Sequence, residues 1–166
     1  MNLYITYDRY EHDEWFYIYG YGTNRNLEIK KCKEEYLPDF FSGGPDDCHS
    51  FQLQRVEVTP TMYRNFVRWN EEDQSLEKHG GDRDSELFKF MERAYDLSGM
   101  GVGSNPDVII CSGGCDDIFD IVRFYGNKKG LTDEEVEECM DELQDEVFND
   151  DELFMKTAKE YIRKYY

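Results

Sequence analysis

The stretch LTDEEVEECMDELQDEVFNDDELFM, residues 131–155, has the clearest helical pattern in the chain. Thr132 and Glu135 have the spacing of a capping box, which satisfies backbone N–H groups at the start of a helix. The stretch therefore predicts one amphipathic helix that ends near Asn149-Asp150. Its apolar stripe consists of Val136, Cys139, Met140, Leu143 and Val147.

The same stretch contains twelve Asp or Glu residues and no Lys or Arg. Like charges four residues apart on a helix repel by about 0.2–0.5 kcal/mol per pair, and a helix that needed only solubility would interleave lysines. The pattern thus indicates that the negative electrostatic field of this helix has been selected in evolution. The alternatives are a face that is acidic only because it is solvated, or a halophilic adaptation. The predicted outer face consists of Glu134, Glu137, Glu138, Asp141, Glu142 and Asp145.

This outer face leads to the main functional prediction. Carboxylates about 6 Å apart on a helix can imitate a row of phosphates. We therefore predict a non-enzymatic inhibitor that binds a basic, nucleic-acid-handling protein, such as a defence nuclease, by charge mimicry. The formal net charge of −18 argues against direct binding of nucleic acid or of an anionic membrane.

The negative charge is distributed unevenly along the chain. Residues 1–70 carry eight basic and eleven acidic side chains, whereas residues 71–126 carry five and thirteen, and residues 127–166 carry six and thirteen. Aromatic residues make up 16% of the chain, which argues against disorder because acidic disordered segments are poor in them. A folded protein with an acidic C-terminal part is predicted.

The N-terminal region predicts a β-hairpin. Leu3 to Tyr7 alternates apolar and polar residues, and the run WFYIYGY, residues 15–21, is rich in β-formers. Its alternation places Tyr17 and Tyr19 on one face with Trp15 and Tyr21, and Tyr4 across from them. If that face is open, the alternative function is a structural protein that oligomerises through a Tyr-rich sheet.

The next elements are a helix, a strand and a second helix. Asn24 can cap the first helix, which we expect to stop before Pro38. The strand, residues 51–58, changes its apolar phase, so we predict a bulge near Gln54–Arg55. Thr59-Pro60 then fits an N-cap with Pro at the first helical position.

The remaining elements complete an α+β prediction. A helix from about residue 85 to 97, a strand at residues 108–110, a short helix closed by Gly126 and a last helix from about residue 153 accompany the acidic helix. The fold class is therefore α+β, with an N-terminal β-hairpin in a β-β-α-β antiparallel sheet packed with C-terminal helices. We predict one domain, residues 1–166, that is β-rich over 1–60, mainly helical and acidic over 61–166, with a flexible connector at 98–106.

Cysteine chemistry is the third functional alternative. Cys111 and Cys115 have a C-x3-C spacing, and Cys48-His49 could add donors to a zinc site. Cys115 at a helix start could instead be a nucleophile, but the neighbouring Asp116 and other acids disfavour a thiolate. We therefore expect no cofactor. A zinc protein or a cysteine hydrolase stays as the third functional hypothesis.

The five scattered cysteines and the lack of a long apolar run favour a reduced cytoplasmic protein. The order of elements and the composition resemble small accessory proteins of phages and mobile elements, although no motif carries this resemblance. A viral protein of that kind would act in the cytoplasm of its host cell.

Overall fold

The structure of the protein is a computed structural model that describes residues 1–10, 16–42, 49–95, 108–113 and 115–166. Within these ranges it describes the backbone alone at positions 9, 10, 16, 42, 49, 93, 95, 108–113, 115 and 116. The predicted connector at 98–106 therefore lies outside the described residues.

A four-stranded sheet forms the β part of the molecule. Its strands lie in the order β2-β1-β3-β4, and β1 pairs antiparallel with both β2 and β3. The predicted α+β fold and its N-terminal hairpin are thus confirmed. The strand bounds are β1, Asn2–Tyr10; β2, Phe16–Gly22; β3, His49–Glu57; and β4, Val108–Gly113.

Both faces of strand β1 are buried. Leu3, Ile5 and Tyr7 lie on one face with 0% exposure, and Thr6 and Asp8 lie on the other with 0% and 5%. The β1–β3 register then runs without a shift from Asn2 to Tyr10. The predicted bulge at Gln54–Arg55 is wrong, because a strand covered on both sides can place apolar residues on either face.

The irregularity of the sheet lies in β2 instead. Thr6 pairs with Gly20 and Tyr7 pairs with Ile18, so that Tyr19 is the extra residue of a bulge. The bulge moves Tyr21 onto the core face with Ile18, whereas strict alternation would place it with Tyr17. The predicted single row of tyrosines is therefore divided between two faces.

Helices α1 and α2 are joined by a π-helical turn, Cys32–Tyr36. Helix α1 is Arg25–Lys31, capped as predicted by Asn24, and helix α2 is Leu37–Ser42. The prediction that the helix stops before Pro38 is wrong. The N–H of Leu37 bonds to the carbonyl of Cys32, five residues back, and this wider turn accommodates a proline that lacks an N–H donor.

Three further helices pack with the sheet core, which includes Phe66, Trp69 and Phe90. The side chain of Thr59 accepts from the N–H of Met62, which confirms the predicted cap. The bounds are α3, Pro60–Glu71; α4, Leu76–His79; and α5, Glu86–Tyr95.

The C-terminal helices are α6, Cys115–Lys128; α7, Asp133–Glu138; α8, Met140–Phe148; and α9, Asp151–Tyr165. Helix α6 passes through Gly126, so the prediction that Gly126 closes it is wrong. A Cβ at Gly126 would lie 2.6 Å from Val136 Cγ2 and 3.2 Å from Leu143 Cδ1, so glycine permits close packing of helices here. The chain turns instead at Gly130, whose φ is +88°.

The chain divides into two compact units. The sheet unit consists of Met1–Ile29 and His49–Ser112, and the helical unit consists of Lys30–Cys48 and Gly113–Tyr166. The assignment of residues 1–166 to one domain stays a prediction beside this division.

Candidate interaction surface

The predicted capping box starts helix α7. The Glu135 N–H donates to Thr132 Oγ1 at 3.3 Å, and Glu135 Oε2 accepts from the Thr132 N–H at 2.8 Å. The Thr132 hydroxyl also donates to Glu135 Oε2 at 3.0 Å, and the two hydrogen bonds to the carboxylate, the backbone one first, lower the pKa of Glu135 below its ordinary value. The first turn is therefore held in a defined conformation.

Apolar contacts hold α7 and α8 against the rest of the helical unit. Val136 and Val147 are fully buried, and Leu143 is 5% exposed. Val136 and Leu143 pack in one cluster with Val122 of α6. The apolar stripe predicted from the sequence is thus the buried side of these helices.

Helices α7 and α8 do not form the single helix predicted from the capping box at Thr132 to near Asn149-Asp150. The backbone is interrupted at Cys139, whose φ of −102° and ψ of 9° are not helical. The pairs Glu137 with Asp141 and Glu138 with Glu142 span this point at i, i+4 spacing. Like-charge repulsion between such pairs weakens a helix, so the interruption lies between residues whose charges repel.

The outer side of α7 and α8 consists of exposed carboxylates, which we call the acidic face. Within the described ranges, none of these six carboxylates forms a hydrogen bond or an ion pair. Among the residues that the structure describes, the face therefore has open negative charge and no internal counter-ion. Its members are Glu134, Glu137, Glu138, Asp141, Glu142 and Asp145.

Glu146 lies at the margin of the acidic face and, unlike the six carboxylates of that face, it has hydrogen-bond partners. Lys129 Nζ lies 2.7 Å from both oxygens of Glu146, and the Tyr125 hydroxyl donates to Oε1 at 2.8 Å. The Lys129 hydrogen bond, followed by that of Tyr125, lowers the pKa of the Glu146 carboxyl. The acidic face itself receives no such partner, although a lysine lies near its edge.

Tyr17 and Tyr19 lie in the sheet unit on the side of β2 away from Ile18. Tyr17 is 56% exposed, and its ring meets that of Tyr19 edge-on at 4.8 Å. Tyr19 also packs against Phe51 at 5.1 Å, so it is anchored to the sheet. Tyr17 is the exposed aromatic side chain of this pair, and Trp15 lies outside the described residues.

The structure does not describe the side chains of the four cysteine and histidine candidates. Cys48 lies outside the described residues, and for His49, Cys111 and Cys115 the structure describes the backbone alone. Among the side chains that the structure does describe, no group of three or more His, Cys, Asp or Glu could hold a metal ion.

Two buried carboxyl residues were not identified from the sequence. Glu28 of α1 is 1% exposed and accepts a hydrogen bond from Thr6 Oγ1 at 3.1 Å, and Asp8 is 5% exposed. Glu28 also limits the side chain that position 22 can carry, because a Cβ added at Gly22 would lie only 3.0 Å from Glu28 Oε2. No sequence signal separates Glu28 from a solvated helical glutamate, since its burial depends on which side of α1 faces the sheet.

His79 is a third buried ionisable residue. It is 5% exposed, and its Nε2 lies 3.0 Å from Asp73 Oδ1 without the geometry of a hydrogen bond. Asp73 instead accepts from Lys78 Nζ at 2.7 Å, and this contact lowers the pKa of its carboxyl. His79 therefore contacts a carboxylate that already accepts a hydrogen bond from Lys78.

Comparisons with protein-family models, with curated proteins and with solved structures find no match for this chain. The helices in the described part of the chain are each too short or too polar to cross a membrane.

Proposed function

We propose that the protein is a non-enzymatic acidic inhibitor that binds and blocks a basic, nucleic-acid-handling protein by charge mimicry. The observation that carries the proposal is the acidic face, whose six exposed carboxylates lack a counter-ion within the described part of the chain. A defence nuclease is an example of such a partner. The proposal places the protein in the cytoplasm, of a host cell if it is viral.

The open charge of this face favours binding for two physical reasons. A partner cation that meets Glu138 or Glu142 does not have to displace an internal lysine, because none is paired there. Helices α7 and α8 are also held by Val136, Leu143 and Val147, so little ordering entropy is lost when the face binds.

The chemistry of the partner follows from the sign and extent of the charge. Proteins that bind nucleic acid carry Lys and Arg side chains along the path of the phosphates. A face of six carboxylates can occupy such a path, whereas it repels nucleic acid itself.

The test is a capture experiment that uses heparin-binding proteins from a lysate of the source cell, since heparin enriches basic nucleic-acid-binding proteins. The immobilised wild-type protein is compared with a variant that carries Glu138→Lys, Asp141→Lys, Glu142→Lys and Asp145→Lys. We expect the wild type to retain a basic protein that duplex DNA displaces and that salt above roughly 0.3 M releases. The four-lysine variant should lose it.

The matched control reverses four exposed carboxylates of the sheet unit, Glu57, Glu72, Glu77 and Glu92, to lysine. It has the same net charge as the first variant and should still retain the partner. Circular dichroism of both variants checks that the fold is intact. Capture that survives reversal of the acidic face, or that is indifferent to salt and DNA, contradicts the proposal.

A second candidate function is assembly through the Tyr-rich sheet, favoured by the 56% exposure of Tyr17. An exposed tyrosine braced by Tyr19 resembles the aromatic anchors of protein interfaces. Size-exclusion chromatography of the wild type against Tyr17→Ala and Tyr19→Ala tests it. Assembly of this kind requires an elution shift in the variants, and identical elution as a monomer rules it out.

A further inference from the structure

Helix α9 has a charged face of the opposite sign, which we call the basic face. It consists of Lys156, Lys159 and Arg163, and their i, i+3, i+7 spacing places them on one side of the helix. Lys156 and Arg163 are exposed, and Lys159 is half-buried. With Glu152, Met155 and Glu160, they line a shallow depression of about 460 Å³.

The cations of the basic face are unpaired, unlike others in the helical unit. Lys129 pairs with Glu146 at 2.7 Å and Arg123 pairs with Asp120 at 2.9 Å, whereas the basic face has no ion pair to any residue that the structure describes. Glu160 is not available as a counter-ion, since it pairs with Lys128. With three cations against the one remaining carboxylate, Glu152, the depression carries a net positive charge in a protein of net charge −18.

The acidic and basic faces belong to the same unit and leave each other unpaired. Each helix rises about 1.5 Å per residue, so Lys156 to Arg163 spans about 10 Å along α9, and Asp141 to Asp145 spans about 6 Å along α8. We propose that the basic face docks against the acidic face of a second copy of this chain. The contact is head-to-tail, so it leaves one face of each kind free at the ends of an assembly.

The strength of this contact depends on ionic strength in an unusual way. Exposed ion pairs contribute little, so we expect a dissociation constant of about 0.1–1 mM. At about 0.01 M salt the screening length is about 30 Å, and the net charge of each copy repels the other. At about 1 M it is about 3 Å, and the local ion pairs are lost. Association should therefore be strongest near about 0.15 M, where the screening length is about 8 Å.

Sedimentation equilibrium of the purified chain, at up to about 1 mM protein and at these three salt concentrations, tests the proposal. The apparent mass should rise above 19.8 kDa at the intermediate salt and stay near it at the two extremes. The variant Lys156→Gln, Lys159→Gln, Arg163→Gln should remain monomeric. The control Arg55→Gln, Arg68→Gln, Arg83→Gln removes three exposed cations of the sheet unit and should associate like the wild type.

A mixing experiment adds an independent test. The four-lysine variant of the acidic face and the variant Lys156→Glu, Lys159→Glu, Arg163→Glu should each stay monomeric alone and associate when mixed. A monomer under every condition, equal loss in both glutamine variants, or no association on mixing overturns the proposal. Because only this chain is present, the result is independent of whether a basic partner is captured.

Discussion

The sheet unit and the helical unit use their polar side chains in opposite ways. The sheet unit buries several of them, whereas the helical unit, in its described part, buries only Thr157 and keeps its charges at the surface. Polar groups therefore specify internal packing in the sheet unit and remain available to other molecules in the helical unit. The buried polar residues of the sheet unit are Thr6, Asp8, Glu28, Ser50, Gln52 and His79.

Five of the sheet unit's side chains form two separate sets of buried hydrogen bonds, one on each face of β1. The Tyr7 hydroxyl donates to Gln52 Oε1 at 2.8 Å, and Gln52 Nε2 donates to Ser50 Oγ at 2.5 Å. On the other face of β1, Thr6 donates to Glu28. Hydrogen bonds in a low-dielectric interior are strong when made and costly when broken, so these bonds constrain how β3 and α1 pack against β1.

The largest expected effect comes from Glu28→Ala. The substitution removes a buried acceptor from Thr6 and leaves a cavity beside the sheet, so we expect a loss of about 3 kcal/mol in the free energy of unfolding. The matched control, Glu142→Ala on the acidic face, should change it by less than about 0.5 kcal/mol. Urea denaturation measures both values, and equal values would remove the distinction between the two units.

Gly126→Val is expected to have the next largest effect. A Cβ at this position would lie 2.6 Å from Val136, so the larger side chain forces α6 away from α7 and costs about 2 kcal/mol. The control is Asn127→Val at the exposed neighbouring position of α6. Thermal unfolding should show a lower midpoint for Gly126→Val than for the control, and a shared midpoint would argue against close helix packing at this glycine.

Glu135→Gln tests the capping box through pH. The pKa of Glu135 is lowered in the folded state, so its ionised form stabilises the fold above the pKa of the unfolded chain, and this contribution is lost as pH falls. The variant should therefore melt below the wild type at pH 7 and approach it between about pH 5 and pH 3. Glu134→Gln, which removes a carboxylate of the acidic face, is the control. A gap for Glu135→Gln that stays constant with pH would contradict the cap.

The smallest effect has the opposite sign. Asp145→Lys places a cation four residues after Asp141 and three after Glu142, in the last turns of α8. It should stabilise the protein by about 0.3–0.5 kcal/mol, because repulsion is replaced by attraction. Repeated chemical denaturation of the wild type, Asp145→Lys and Asp145→Asn measures the difference in the free energy of unfolding, and Asp145→Asn is the control that only removes the charge. A destabilised lysine variant would mean that the acidic face does not reduce stability.

Local patterns in the sequence predicted the elements whose causes are local. The hairpin, the caps at Asn24, Thr59 and Thr132, and the apolar stripe of α7 and α8 depend on neighbouring residues alone. The exposure of the acidic face follows from the same stripe. Its lack of counter-ions was not predictable, because it depends on where lysines such as Lys129 lie in the folded protein.

The predictions that failed depended on residues distant in sequence. Pro38 continues a helix because a π turn precedes it, and Gly126 lies inside a helix because α7 and α8 pack against it. The strand around Gln54 needs no bulge because both sides of the sheet are covered. Sequence patterns predict helix ends at Pro and Gly. Whether a particular Pro or Gly lies inside a helix depends on contacts in the folded protein.

The bulge at Tyr19 has a consequence for solubility. Strand β2 is the terminal strand of the sheet and reads FYIYGYG, an uncharged aromatic run with the composition of an aggregation-prone segment. It contains no lysine or proline to block the addition of another strand. The bulge interrupts the regular spacing of its backbone donors and acceptors, so a foreign strand would find a discontinuous template. The bulge that moves Tyr21 onto the core face thus also protects the edge of the sheet.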